Sequence, residues 1–168
     1  DYSRLQNPTR EHLEKTVASL ENGIDALAFS SGMAAITLMM ELFKPGDHLI
    51  VDADLYGGSI RLFNHVSEKN GIEFSSVDCH KENVAAYIRE NTKAVYIETP
   101  TNPMMNVTDI KALAEITKKH NILLIVDNTY LSPYVQNPLD LGADIVVHSG
   151  TKYLGGHNDT LAGCLVTN

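Results

Sequence analysis

A chain of 168 residues is long enough for one domain with a substantial buried core, and its 43% hydrophobic and 20% charged residues are ordinary for a globular protein. Acidic residues outnumber basic ones 21 to 13, a formal charge of −8, which argues against nucleic acid as a partner yet allows a small phosphorylated cofactor held by backbone N–H groups. No apolar run approaches the ~18 residues of a membrane span and no signal-peptide pattern opens the chain, so no membrane partner is expected.

Asn7-Pro8 opens a helical pattern that carries Leu13, Val17 and Leu20 on one face and closes at Gly23. The apolar run 26–29 reads as a strand, and Ser30-Ser31-Gly32 leads into a helix over 33–43 that Pro45-Gly46 stops. A strand is expected over 48–53, a helix over 59–70 ending at Gly71, and a strand over 72–77. A helix over 82–90, a strand over 94–98, a Pro-rich loop and a helix over 109–120 follow. Residues 122–127, apolar up to a closing carboxylate, make the clearest strand, and 145–148 and 161–166 complete the set.

Short apolar strands alternating with amphipathic helices imply an α/β fold, a mostly parallel sheet with helices on both faces. Ligands in such sheets bind beyond the carboxyl ends of the strands. The polar clusters fall at those ends: Ser31-Gly32, Tyr56-Gly57-Gly58, 99–103, Asp127-Asn128-Thr129 and 149–152. Cys79 and Cys164 lie outside any CxxC pair, so neither a disulfide framework nor a zinc site is expected, and a reducing, cytoplasmic setting fits. The chain opens at Asp1 without a methionine and stops at Asn168 directly after an apolar run, which leads us to expect a fragment.

Lys152 follows an apolar strand and the small polar run Ser149-Gly150-Thr151. A loop lysine is ordinarily solvated. One held at the edge of a buried strand among small residues is expected to be partly desolvated, which favours the neutral amine a Schiff base needs. Asp127 reads either as a cap or as a buried anion awaiting a cation, and a protonated pyridine nitrogen is such a cation. Ser31-Gly32-Met33 at a strand-to-helix junction is an ordinary cap, but with the hydroxyls of Ser149 and Thr151 it could cradle a phosphate. Tyr56, before two glycines, is either a core aromatic or a ring laid over a flat cofactor.

Competing motifs fail. Ser149-Gly150-Thr151-Lys152 matches S-x-x-K literally, but neither S-D-N nor K-T-G accompanies it. No G-x-x-x-x-G-K-[ST] or G-x-G-x-x-G occurs, and His148, His157 and Asp159 make an unconvincing metal set, so no metal is expected.

Together these segments resemble the Cys/Met-metabolism family of pyridoxal-phosphate enzymes, the transsulfuration enzymes. The matching stretches are Tyr2-Ser3-Arg4 with Asn7-Pro8-Thr9, then FSSGMAA (29–35), DLYGG (54–58), ETPTNP (98–103), VDNT (126–129) and HSGTKYLGGHND (148–159). The resemblance implies the aspartate-aminotransferase-like fold (fold type I), with 1–168 as a single large, cofactor-binding domain lacking an N-terminal segment and a C-terminal small domain. Pyridoxal 5'-phosphate would be the cofactor, with Lys152 as its Schiff-base lysine and Asp127 on the pyridine nitrogen. Gly32, Met33, Ser149 and Thr151 would bind its phosphate, Tyr56 would stack on the ring and assist as an acid or base, and Asn102 and Thr129 would complete the cofactor shell. Tyr2 and Arg4 would reach the phosphate of a neighbouring subunit, implying a homodimer, commonly built into a homotetramer.

The activity implied is elimination or replacement at the β or γ carbon of an amino-acid substrate, of the cystathionine γ-synthase or cystathionine lyase type. O-acylhomoserine sulfhydrylase is the alternative within the family. Methionine γ-lyases carry a cysteine where this chain has Gly58, which lowers that activity in the ranking. Members of the family place an arginine for the substrate carboxylate in a further C-terminal domain. The rival readings are a non-catalytic cofactor-binding or oligomerisation unit and a cofactor-free Schiff-base lyase.

Overall fold

The computed structural model describes residues 2–168. Seven strands form one sheet: β1 (Asp25–Phe29), β2 (His48–Asp52), β3 (Glu73–Val77), β4 (Thr92–Glu98), β5 (Leu123–Asp127), β6 (Ile145–Ser149) and β7 (Gly163–Thr167). Their spatial order is β1-β7-β6-β5-β4-β2-β3. The β3-β2, β2-β4, β4-β5 and β5-β6 pairs are parallel, and β7 is antiparallel to both β6 and β1. One strand therefore runs against the other six, and the mostly parallel α/β sheet expected from sequence is the one observed.

The central strands are apolar because both their faces are covered. Val95, Ile97, Leu124, Ile125 and Val126 are fully buried, as parallel sheets require. Period-2 alternation sorts them. Helices α2 (Gly32–Met39) and α3 (Gly57–Leu62) lie on one face, where Ile36 and Met39 join a cluster with Leu49, Tyr96, Ile125 and Val147. Helix α4 (Ile110–His120) covers the other face through Ile110 and Leu113 against Val95, Leu124 and Val126. Helix α1 (Pro8–Leu20) sits on that same second face, with Val17 and Ala18 packed with Ala26, Val146 and Val166.

Caps fix where the helices begin. Asn7 Oδ1 accepts the N–H groups of Thr9 and Arg10 at 3.0 and 3.1 Å, and Pro8 takes the first helical position of α1. Asp109 Oδ1 accepts Ala112 N–H at 3.0 Å to start α4, which ends at Asn121 in the left-handed region (φ 55°).

Four expectations are corrected. Leu13 and Leu20 are exposed, because α1 rests on the sheet through the small contact surface of Val17 and Ala18. The helix expected over 82–90 is a single 3-10 turn, Val84–Tyr87, with Val84 as its buried anchor; Asn83 caps it and Ile88 is already extended, since the chain must enter β4 at Thr92. The helix expected over 59–70 begins at Gly57 and widens into a π turn over Phe63–Ser67. There Phe63 is pinned between Phe74 and Tyr96, its ring centroid 5.2 and 5.5 Å from theirs. A short helix α5 (Ser132–Val135) stands in what reads from sequence as loop.

Candidate active site

All the parallel strands end at one edge of the sheet, and a cavity of about 630 Å³ opens there. Its walls include Gly32, Met33, Tyr56, Asn102, Asp127, Thr129, Ser149, Thr151 and Lys152. Tyr2 and Arg4 do not reach it: both are exposed, with the Arg4 guanidinium stacked 5.7 Å from the centre of the Tyr2 ring.

The floor is set by strand alternation. Tyr96, Glu98, Asp127 and Ser149 fall on the same sheet face as α2, while their chain neighbours point to the other. Asp127 is 7% exposed. Its Oδ1 accepts Thr129 N–H at 3.0 Å and Thr129 Oγ1–H at 2.6 Å, and its Oδ2 accepts Tyr96 O–H at 3.3 Å. No Lys, Arg or His among the described residues forms an ion pair with it. A buried carboxylate held by neutral donors only, and facing a cavity, is suited to a cation that enters that cavity.

Glu98, paired in register with Asp127 across β4 and β5, is a cavity residue that sequence reasoning left without a role. It lines the cavity, and its Oε2 accepts Tyr56 N–H at 2.9 Å. Burial, with the Asp127 carboxylate beside it, pushes the Glu98 carboxyl up to about 7. Burial and the same two carboxylates also raise the Tyr96 hydroxyl well above the ordinary phenol range. The signal was present in the sequence: Glu98 closes an apolar strand just as Asp127 does.

The same cavity holds a cradle for an anion. Ser31 caps α2, its Oγ accepting Ala34 N–H at 3.1 Å, which leaves the N–H groups of Gly32 and Met33 without intrahelical acceptors. A Cβ on Gly32 would meet Ser149 Cα at 2.9 Å, and one on Gly163 would meet the Ser31 carbonyl oxygen at 2.1 Å. Only glycine at both positions lets the 31–32 turn, Ser149 and the start of β7 approach backbone to backbone, and Gly163 was not singled out from sequence. Lys152 Nζ lies 3.4 Å from Ser149 Oγ. Thr151 Oγ1 donates to the Ala162 carbonyl at 3.3 Å and accepts Ala162 N–H at 3.2 Å, which fixes the 151 turn.

One expectation about side chains changes and one alternative is resolved. Lys152 is exposed, because the turn that carries it stands at the open mouth of the cavity, so this chain alone does not supply the expected desolvation. Tyr56 is no core aromatic: it is 53% exposed, anchored through its N–H by Glu98, with its ring against Gly58. A Cβ at position 58 would come within 2.3 Å of Tyr56 Cε1, so any side chain there displaces the ring. Tyr130 and Tyr153, also cavity residues, stand edge to face with centroids 6.3 Å apart. The described residues contain no group of three or more His, Cys, Asp or Glu placed to hold a metal, and no helix long and apolar enough to cross a membrane.

The family model described as Cys/Met metabolism PLP-dependent enzyme matches residues 1–168. A cystathionine gamma-synthase/O-acetylhomoserine (thiol)-lyase of Bacillus subtilis is 58% identical over 99% of this chain and 45% of its own length. A cystathionine gamma-lyase of the same organism is 55% identical over 99% of this chain and 44% of its own. Among solved structures, the crystal structure of cystathionine gamma-lyase from Lactobacillus plantarum complexed with L-serine superposes with a TM-score of 0.98 at 50% identity, covering 100% of this chain and 44% of that one. The chain thus spans a little under half the length of the relatives it matches.

Proposed function

The chain belongs to the Cys/Met metabolism PLP-dependent enzymes, with their aspartate-aminotransferase-like, type I fold, and from that membership we propose that it forms the cofactor-binding part of a transsulfuration enzyme. The reaction is elimination or replacement at the β or γ carbon of a sulfur amino acid or an O-acylhomoserine, of the cystathionine γ-synthase or cystathionine lyase type. The observation that carries the reading is one cavity lined by a buried carboxylate, an anion cradle and a lysine amine.

The donor set fits pyridoxal phosphate. The N–H groups of Gly32 and Met33, with the hydroxyls of Ser149 and Thr151, offer donors to a phosphate at the start of α2. Asp127 would hold the pyridine nitrogen, Tyr56 would lie on the ring, and Asn102 and Thr129 would border it. Lys152 would attach the cofactor covalently. When bound, pyridoxal phosphate supplies an electron sink for the carbanion left by loss of the substrate's Cα proton.

The chain's own residues then do the following. Asp127, its side chain fixed by three hydrogen bonds, would hold a proton on the ring nitrogen. The Lys152 amine would accept the substrate's Cα proton and return it toward the leaving group. Tyr56, its backbone N–H held by Glu98, would lie on the ring and could assist as acid or base. Tyr2 and Arg4, exposed and outside their own cavity, would complete the phosphate site of a second subunit in a homodimer or homotetramer. A reducing cytoplasmic setting suits Cys79 and Cys164, both free and buried.

Assaying the full-length protein with cystathionine and with O-acylhomoserines tests the reading. Release of thiol or 2-oxo acid, or formation of cystathionine, is expected. A cofactor-loaded protein inert toward all of these substrates refutes it.

A further inference from the structure

Behind the site, on the opposite sheet face, lies a polar cluster that the proposed chemistry does not touch. Glu21, His148 and Asn128 are 0%, 1% and 0% exposed. His148 Nε2 lies 2.5 Å from Glu21 Oε1, and Asn128 Nδ2 donates to the same oxygen at 2.8 Å. Asn128 Nδ2 also donates to the Gln136 carbonyl at 2.8 Å. Gln136 Nε2 donates to Asn128 Oδ1 at 2.9 Å and to the Thr99 carbonyl at 3.0 Å. Four segments meet here: the end of α1, strand β6, and the loops that follow β4 and β5.

The cluster makes poor sense as a device for stability alone. A carboxylate removed from water is weak evidence for stabilisation even when paired, and Glu21 Oε2 is buried without any partner. Apolar side chains of similar size would fill the same space. What the cluster does supply is geometry. Asn128 follows Asp127, and His148 precedes Ser149. Because successive residues of a strand point to opposite faces, fixing Asn128 and His148 from behind fixes where Asp127 and Ser149 point in front. On the front, Thr129 Oγ1 closes the frame, accepting Ser149 N–H at 2.8 Å while donating to Asp127. The Gln136 link extends it to Thr99, which begins the loop carrying Asn102. The 128–136 loop itself holds Ser132 at φ 62°, a conformation that needs such over-determination to persist.

We propose that the Glu21–His148–Asn128–Gln136 cluster is a positioning network that aligns Asp127 and the Ser149 cradle with a bound cofactor, and ties that alignment to helix α1. This rests on the cofactor reading given above. None of the four residues touches the cavity, so they act only through their neighbours. Arg10 of α1 also grips the preceding segment by donating to the carbonyls of Ser3, Arg4 and Leu5, so the network links this chain's own cradle to the Tyr2–Arg4 segment expected to serve the neighbouring subunit.

The test compares holoenzyme carrying wild-type sequence, Glu21→Gln or Gln136→Leu. Glu21→Gln removes the charge but keeps the shape. Gln136→Leu cuts the link between Asn128 and Thr99 without burying a new charge, and carries the test should Glu21→Gln not fold. The readouts are the visible circular dichroism of bound pyridoxal phosphate, its release rate, and kcat and KM. Positioning predicts a reduced or reshaped visible dichroism, release at least about 10-fold faster, and a loss in kcat larger than any rise in KM. Melting temperatures lowered equally with and without cofactor, with dichroism and release unchanged, would make the network merely structural and overturn the proposal. Wild-type protein that takes up no pyridoxal phosphate would instead sink the cofactor reading itself, and the positioning role with it.

Discussion

Replacing Asp127 by asparagine isolates one negative charge from everything else that residue does. Asparagine keeps an oxygen where Oδ1 accepts the Thr129 N–H and hydroxyl at 3.0 and 2.6 Å. Its NH2 can donate to the Tyr96 oxygen, which now faces the other carboxylate oxygen at 3.3 Å. The strand end should therefore stay in place, and the fold with it. What disappears is a charge only 7% exposed, aimed into the cavity. One such electrostatic interaction is worth ~3–4 kcal/mol at the transition state, or roughly 10²–10³ in turnover. The Glu98 carboxyl, raised in part by Asp127, should also titrate below its present value of about 7. The assay is kcat of the full-length variant, with its melting temperature and far-ultraviolet dichroism beside it. A folded Asp127→Asn protein within a few-fold of wild type would refute the reasoning.

Three further outcomes are expected. Gly163→Ala places a Cβ 2.1 Å from the Ser31 carbonyl oxygen, backbone against backbone, so it should cost more than the ~1–3 kcal/mol of ordinary overpacking and abolish phosphate affinity; an unchanged melting temperature contradicts this. Mixed Arg4→Ala and Lys152→Ala subunits should form hybrids with one intact site and regain activity; no recovery despite proven subunit exchange means that Arg4 acts within its own chain. Glu98 is raised from 4.5 to about 7 by burial first and Asp127 second, so its favourable contribution is full below 4.5 and lost as pH rises through 7. After allowance for solvent at the cavity mouth this is roughly 2 kcal/mol, and the urea midpoint of cofactor-free wild type should fall between pH 5 and 8 more than that of Glu98→Gln; identical pH dependence in the two proteins overturns it.

Much of this architecture was legible in the sequence because the central strands are apolar on both faces and end in polar residues. The runs closing at Asp127 and Ser149 announce both the strands and the edge where a ligand binds. Less legible were features set by distant partners. The 3-10 turn at Val84–Tyr87 replaces a helix because the chain has to reach the β4 register, which no local pattern states. The reversal of β7 and the close approach of Gly163 to Ser31 are both contacts across the fold that no local pattern states. Glu98 carries the same strand-end signature as Asp127, yet its role emerges only when the register places the two side by side. The exposure of Lys152 could not be read from its small neighbours, since burial depends on what closes over a cavity, not on what flanks a residue in sequence.

Lys152 is the lysine proposed to bind the cofactor covalently. Borohydride reduction of the cofactor-loaded full-length protein, followed by peptide mapping, tests this directly. The pyridoxyl label is expected on Lys152, in the peptide that contains Ser149-Gly150-Thr151. Label on Lys44, Lys111 or any other lysine, with Lys152 unmodified, would contradict it.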